Sequence, residues 1–168
     1  MKKFLLPLLA SLCLMAFQCG EPEPEPEPEF FEVCLFQPGD FGSANWRIPA
    51  VRCLSDGTVL AFTDKRKYNQ GDLPEDIDIV LRRSADGGHN WSSPYTLALG
   101  TGRKQGFGDC AVVECEDGTV VTAYVGGNGL WASTPSDPQR SFVQRSTDKG
   151  LTWQPRKEIT SLLWDGTQ

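Results

Sequence analysis

Arg47 stands in the stretch NWRIPAVRC, Asn45 to Cys53, immediately before Ile48-Pro49. Ile48, Ala50, Val51 and Cys53 are apolar or small, so the stretch reads as a buried strand with a guanidinium at its mouth. Pro49 brings no ladder donor, which puts the pairing there at a strand end or edge. A guanidinium held by a sheet offers an anion a planar, two-pronged set of donors; one lying on the surface does nothing chemical. Metal chemistry has no comparable residues. The chain has one histidine, His89, and no cysteines at ligand spacing, so no metal and no other cofactor is expected.

The elements that must hold Arg47 come in a repeat. SADGGHNW (Ser84 to Trp91) recurs as STDKGLTW (Ser146 to Trp153), an offset of 146 − 84 = 62. SDGTVLAF (Ser55 to Phe62) is echoed by EDGTVVTAY (Glu116 to Tyr124), with an Asp-Gly offset of 117 − 56 = 61. Two matches at nearly one period mark a structural repeat. Short apolar runs bounded by turns predict strands at Ile48–Leu54, Thr58–Thr63, Ile77–Arg83 and Tyr95–Leu99 in the first unit. The second unit predicts Cys110–Cys115, Thr119–Val125, Ser141–Arg145 and a strand after Trp153, and Phe30–Gln37 reads as one more. Four strands in about 60 residues make one blade of a β-propeller. The expected class is therefore all-β, with about the first two blades of a propeller. Propellers close with about four to eight blades, so residues 30–168 are expected to be the N-terminal part of a longer, truncated domain, inert on its own.

Residues 1–19 read as a signal peptide. Lys2 and Lys3 precede an apolar run from Phe4 to Phe17, too short to span a membrane. Cys19 follows that run where a lipoprotein would be cleaved and acylated, although Gln18 departs from the usual small residue. Residues 20–29 form a linker. Its alternating Glu and Pro favour polyproline II, and nine residues at about 3.1 Å each give a spacer of roughly 28 Å. The expected protein is exported, as an outer-membrane or cell-surface lipoprotein or else periplasmic or secreted, with no membrane contact beyond the lipid.

The chain has 16 basic and 22 acidic residues. Setting aside Lys2, Lys3 and the five glutamates of the linker leaves 14 and 17, a domain near −3 with no basic stripe for nucleic acid. Cys34, Cys53, Cys110 and Cys115 are expected to be buried free thiols, with a disulfide open to an exported domain.

The Ser-x-Asp-x-Gly-x-x-Trp segments resemble Asp boxes, the turns between the third and fourth strands of such blades. Asp86 and Asp148 are expected to accept backbone N–H bonds, Gly88 and Gly150 to take positive φ, and Trp91 and Trp153 to pack. With Ser84 and Ser146 these residues are structural. His89 falls in the first turn, exposed. Asp boxes occur in several carbohydrate-active and non-catalytic propellers, so alone they specify an architecture.

WRIPAVR, followed by FTDKRKYNQGDLPEDIDIVLRRSADGG and then by GFGDC, is similar to the opening of the bacterial sialidase (neuraminidase) family, from Phe36 to the end of the chain. The resemblance implies an exo-α-sialidase that removes terminal sialic acid from glycoproteins, glycolipids and oligosaccharides. It matches Arg47 to the first of three arginines that grip the substrate carboxylate. Asp72 matches the acid/base residue, 72 − 47 = 25 positions on, in a loop rich in Gly, Asn and Pro. Asp76 and Asp78 compete for that role. Arg66 and Asp109 match the pair that holds the sugar's 4-hydroxyl, and Asp109 is expected to open its inner strand as Arg47 opens the first. Trp131, in GGNGLWAS, lines the acetamido pocket or else packs between blades. Sialidases use a tyrosine nucleophile in a retaining mechanism. That tyrosine, its glutamate and the other two arginines would come from later blades. Arg82, Arg83, Arg140 and Arg145 do not match, and Tyr124 lies mid-strand. The competing reading is a non-catalytic Asp-box propeller that binds glycans or proteins.

Overall fold

The computed structural model describes residues 30–163. The expected signal peptide, Cys19 and the Glu-Pro linker lie outside the described residues. The chain divides into two compact units, Met1–Phe31 and Glu32–Gln168, and the second holds the elements below.

Eight strands form two four-stranded antiparallel sheets, each in sequence order. The first contains β1 (Asn45–Cys53), β2 (Val59–Arg66), β3 (Ile77–Ser84) and β4 (Tyr95–Ala98). The second contains β5 (Phe107–Glu114), β6 (Val120–Gly127), β7 (Gln139–Ser146) and β8 (Lys157–Glu158). All eight expected strands are present. Phe30–Gln37 is a correction: it carries no strand. Its apolar residues suit a strand, but no ladder partner takes up its backbone.

The core lies where the sheets meet. Leu60, Phe62, Ile79 and Leu81 face Phe107, Cys110, Val120, Tyr124 and Phe142 in one buried cluster. Each large side chain buried there stabilises by about 1.5–3 kcal/mol. Trp153 leaves the second sheet to meet Phe62 of the first edge-on, with ring centroids 5.9 Å apart. Polar links join the sheets at their rim. The amide and hydroxyl of Ser55 donate to the two carboxylate oxygens of Glu114 at 2.7 and 2.8 Å, and Lys149 pairs with Asp56 at 2.5 Å.

The two Ser-x-Asp turns are built alike. Ser84 Oγ accepts from the Gly88 amide at 2.8 Å and donates to Asp86 at 2.7 Å. Asp86 Oδ1 takes the Asn90 amide at 2.9 Å. Ser146, Asp148, Gly150 and Thr152 repeat the pattern. Gly88 and Gly150 have φ of 101° and 81°, a region that favours glycine. Hydrogen bonds hold Asp86 and Asp148 at about 2, chiefly the Asn90 amide for the first and the Thr152 hydroxyl for the second. They are turn residues, and His89 is exposed beside the first.

Among the described residues the four cysteines are free; Cys110 is buried, whereas Cys34, Cys53 and Cys115 are exposed. Cys53 and Cys115 fall where β1 and β5 run out into turns, beyond the reach of the core.

Candidate functional site

Arg47 and Asp64 are cross-strand partners on β1 and β2. Pairing then skips to Ala50 and Phe62, so Ile48-Pro49 is a bulge. Pro49, with no N–H to donate, is tolerated inside that bulge. Ile48 has φ of 54°, an outlier for a β-branched residue. The second sheet repeats this. Its register breaks between Gly108 and Ala111, and Asp109 has φ of 58°. The offset 109 − 48 = 61 equals the repeat of the Asp-Gly turns. In bulge register Asp109 therefore echoes Ile48, and Gly108 is the counterpart of Arg47; Arg47 and Asp109 both lie at the start of their inner strands, as expected. Bulges re-aim side chains and gather at functional sites, and here both left-handed residues line one cleft.

That cleft has a volume of about 300 Å³. Arg47, Arg66, Asp72, Asp109 and Trp131 all line it, together with Ile48 and Asp64. The first five are the residues that the sequence singled out. Trp131 stands at the rim, 98% exposed, and among the described residues it does not pack between the two sheets.

Arg66 is the hub. It is 1% exposed. Its Nη1 donates to the carbonyl oxygens of Gln70, at 3.0 Å, and Gly71. Its Nη2 meets Asp64 Oδ2 at 3.3 Å and Asp72 Oδ1 at 2.7 Å, while its buried Nε has no hydrogen-bond partner. Arg47 is half-exposed. Its Nη1 donates to Gln70 O at 3.2 Å and lies 3.8 Å from Asp72 Oδ1. Two arginines thus converge on one oxygen of Asp72, whose side chain is 71% exposed.

Asp76 and Asp78, the competitors of Asp72, lie outside the cleft lining. Lys67 Nζ meets Asp76 Oδ1 and Asp78 Oδ1, each at 2.9 Å, and donates to Gly100 O at 2.7 Å. These carboxylates clamp the two ends of the loop that carries Asp72. The connection between β4 and β5 supports the same loop, because the Lys104 amide donates to Pro74 O at 2.7 Å.

Sequence reasoning missed Asp64. It is 1% exposed beneath Arg66, and its Oδ1 accepts the Asp109 amide of the other sheet at 3.1 Å. Burial pushes its carboxyl up to about 7; Arg66 opposes that rise and the charge of Asp109 adds to it. The available signal was spacing, since residues i and i+2 of a strand share a face and Asp64 precedes Arg66 by two.

Tyr124 is buried, donates its hydroxyl to Gln144 at 2.6 Å, and has its ionisation pushed up by that burial. Neither it nor Tyr68 nor Tyr95 lines the cleft, and neither do Arg82, Arg83, Arg140 and Arg145.

No family model matches the chain. Over 145 residues it is 32% identical to a sialidase of Bacteroides fragilis, covering 76% of this chain and 26% of that protein. It is 37% identical over 129 residues to a sialidase of Micromonospora viridifaciens, covering 70% of this chain and 20% of the relative. Among solved structures, Hadza microbial sialidase Hz136 superposes with a TM-score of 0.65 at 30% identity, covering 74% of this chain and 28% of that one. The chain therefore spans only a fifth to a quarter of the length of these two relatives. The shared fold makes the two four-stranded sheets two blades of a β-propeller.

Proposed function

This chain is a homologue of the bacterial sialidases, and from that kinship we propose that its cleft is part of an exo-α-sialidase active site acting on sialylated glycans. The observation that carries the proposal is the convergence of Arg47 and Arg66 on Asp72 in a cleft that also holds Asp109.

Sialic acid differs from neutral sugars by its carboxylate. Arg47, half-exposed at the cleft, has the planar fork for that group. Asp72 is the acid/base residue. Both of its ion pairs use Oδ1, which leaves Oδ2 to carry the proton. Asp72 gives that proton to the glycosidic oxygen as the bond to the sugar breaks, and its carboxylate then takes a proton from the incoming water. Arg66 and Asp109 hold a sugar hydroxyl, as donor and acceptor. The hydroxyl takes the place of Asp72 on Arg66 Nη2, which frees the acid as the substrate arrives.

The reaction is retaining, with a tyrosine nucleophile. That tyrosine and two further arginines come from strands beyond these two sheets. The first sheet bears an apolar groove lined by Leu35, Phe36, Trp46 and Val51, a face for a neighbouring blade. The protein is exported, with Cys19 as the acylated N-terminus of a surface lipoprotein, and mass spectrometry of the native N-terminus tests that part.

The activity test compares two sialosides in a polypeptide carrying all the blades. Asp72→Asn should slow turnover of a substrate with a poor leaving group by about 10²–10⁴-fold, and of an activated aryl sialoside by less. Equal losses on both would remove Asp72 from the acid's role.

A further inference from the structure

Asp64 is the one cleft-lining carboxylate that the proposed reaction leaves without a task. Its two oxygens go to different sheets. Oδ2 meets Arg66 Nη2 at 3.3 Å on β2, and Oδ1 accepts the amide of Asp109 at 3.1 Å on β5. The approach is close. A Cβ on Gly108 would lie 2.9 Å from Asp64 Oδ2, so only glycine leaves the carboxylate room. The amide that Asp64 holds belongs to a residue at φ of 58°, a backbone that persists only where its surroundings fix it.

We propose that Asp64 is a positioning residue, which ties Arg66 of one blade to the strained backbone of Asp109 in the next and so presents the two as a single sugar-binding unit. The ligand named in the test rests on the sialidase reading; the link between the blades does not. Several charged or titratable groups surround Asp64: Arg47 on β1, Arg66 on β2, Asp109 and Cys110 on β5, and Asp72 on the loop behind Arg66. Burial brings its carboxyl to about 7, so its charge, and the hold on both partners, changes near neutrality. Burial also raises the Cys110 thiol to about 12, with Asp64 adding to the rise, so that thiol stays protonated through the same range.

The test follows the Asp109 amide and Arg66 Nε signals of the ¹⁵N-labelled full chain from pH 5 to pH 9. In the wild type both should move together with one midpoint near 7. Asp64→Asn keeps an acceptor for the Asp109 amide but turns an NH₂ toward Arg66, and should abolish the shared midpoint. Gly108→Ala removes no charge and should shift both signals at fixed pH by crowding Asp64. Should Asp64→Asn fail to fold, Gly108→Ala carries the test. Signals that titrate independently, or that ignore either substitution, would overturn the link. A ligand arm, run in the polypeptide carrying all the blades, measures affinity for free sialic acid, which either variant should weaken about 10-fold, the equivalent of roughly 1.4 kcal/mol. Unchanged affinity would overturn the positioning role. If the wild type bound none at any pH, the sialidase reading would fail, while the two signals would still decide the link between the blades.

Discussion

Gly129 packs so closely on the carbonyl oxygen of Leu73 that any Cβ at position 129 would overlap it. Gly129 belongs to the connection between β6 and β7, and Leu73 adjoins Asp72. The second blade thus presses on the loop that carries the proposed acid. Gly129→Ala must push this loop aside. Overpacking of this kind costs about 1–3 kcal/mol, a fall of roughly 3–10 °C in melting temperature for a domain of this size. A displacement near 1 Å can cost about 10²-fold in rate, so turnover by the full protein should fall alongside. An unchanged melting curve would mean that the loop yields freely and the contact has no positioning role.

The sequence pointed to five cleft residues by cues of unequal strength. Arg47 stood before a proline at a strand mouth, Asp72 lay in a polar loop beside two competing aspartates, Arg66 and Asp109 fell at matching motif positions, and Trp131 was open to two readings. Asp64 was hidden because an aspartate inside a strand pattern looks like one more solvent-facing residue. What buries it is contact with the other sheet, and no local pattern records that. The 61-residue repeat pairs Asp109 with Ile48, and both share a left-handed backbone that no local pattern in the sequence records. Phe30–Gln37 had the composition of a strand, but a strand exists only where a neighbour pairs with it.

Lys67 holds both ends of the Asp72 loop through Asp76, Asp78 and Gly100. Burial alone would lower its ionisation, but the two carboxylates win and raise it. The sign follows. A cation whose folded value is raised contributes stability at all pH below its ordinary value near 10, lost only as pH climbs through the folded one. Lys67 is therefore charged at neutral pH. Lys67→Met leaves two carboxylates facing each other, one of them 3% exposed. Breaking a buried pair in this way costs about 3–5 kcal/mol. Denaturant melts at pH 7 should show that loss for Lys67→Met and a smaller one for Lys67→Arg. Equal, small losses in both would show that solvent replaces the clamp.

Asp64 makes stability depend on pH in a stated direction. Its native value, about 7, lies above the ordinary 3.8. Between those values the native state keeps a proton that the unfolded chain has lost, so stability falls as pH rises through that window and levels off above it. Asp64→Asn removes the titration. The stability of the wild type relative to Asp64→Asn should therefore decline between pH 4 and pH 7 by an amount on the order of a few kcal/mol, at about 1.4 per pH unit. Parallel stability curves for the two proteins would show that Asp64 ionises normally in the fold.

Arg47 separates a carboxylate-binding arginine from a surface one. It is half-exposed, and its contacts with Gln70 O at 3.2 Å and Asp72 at 3.8 Å are loose. Exposed substitutions usually change stability by no more than about 0.5 kcal/mol, so Arg47→Lys should melt like the wild type. Binding should respond differently. Lysine keeps the charge but loses the planar fork that meets a carboxylate with two parallel bonds. Losing one charge-assisted bond removes about 1.5–3 kcal/mol, which at roughly 1.4 kcal/mol per decade predicts a 10- to 100-fold loss of affinity or rate. The control is the same variant assayed with a ligand whose carboxylate is blocked as an ester. If Arg47 grips the carboxylate, the ester should bind both proteins weakly and equally. A wild-type affinity for the free acid in Arg47→Lys, with the fold intact, would place the carboxylate elsewhere and return Arg47 to the surface.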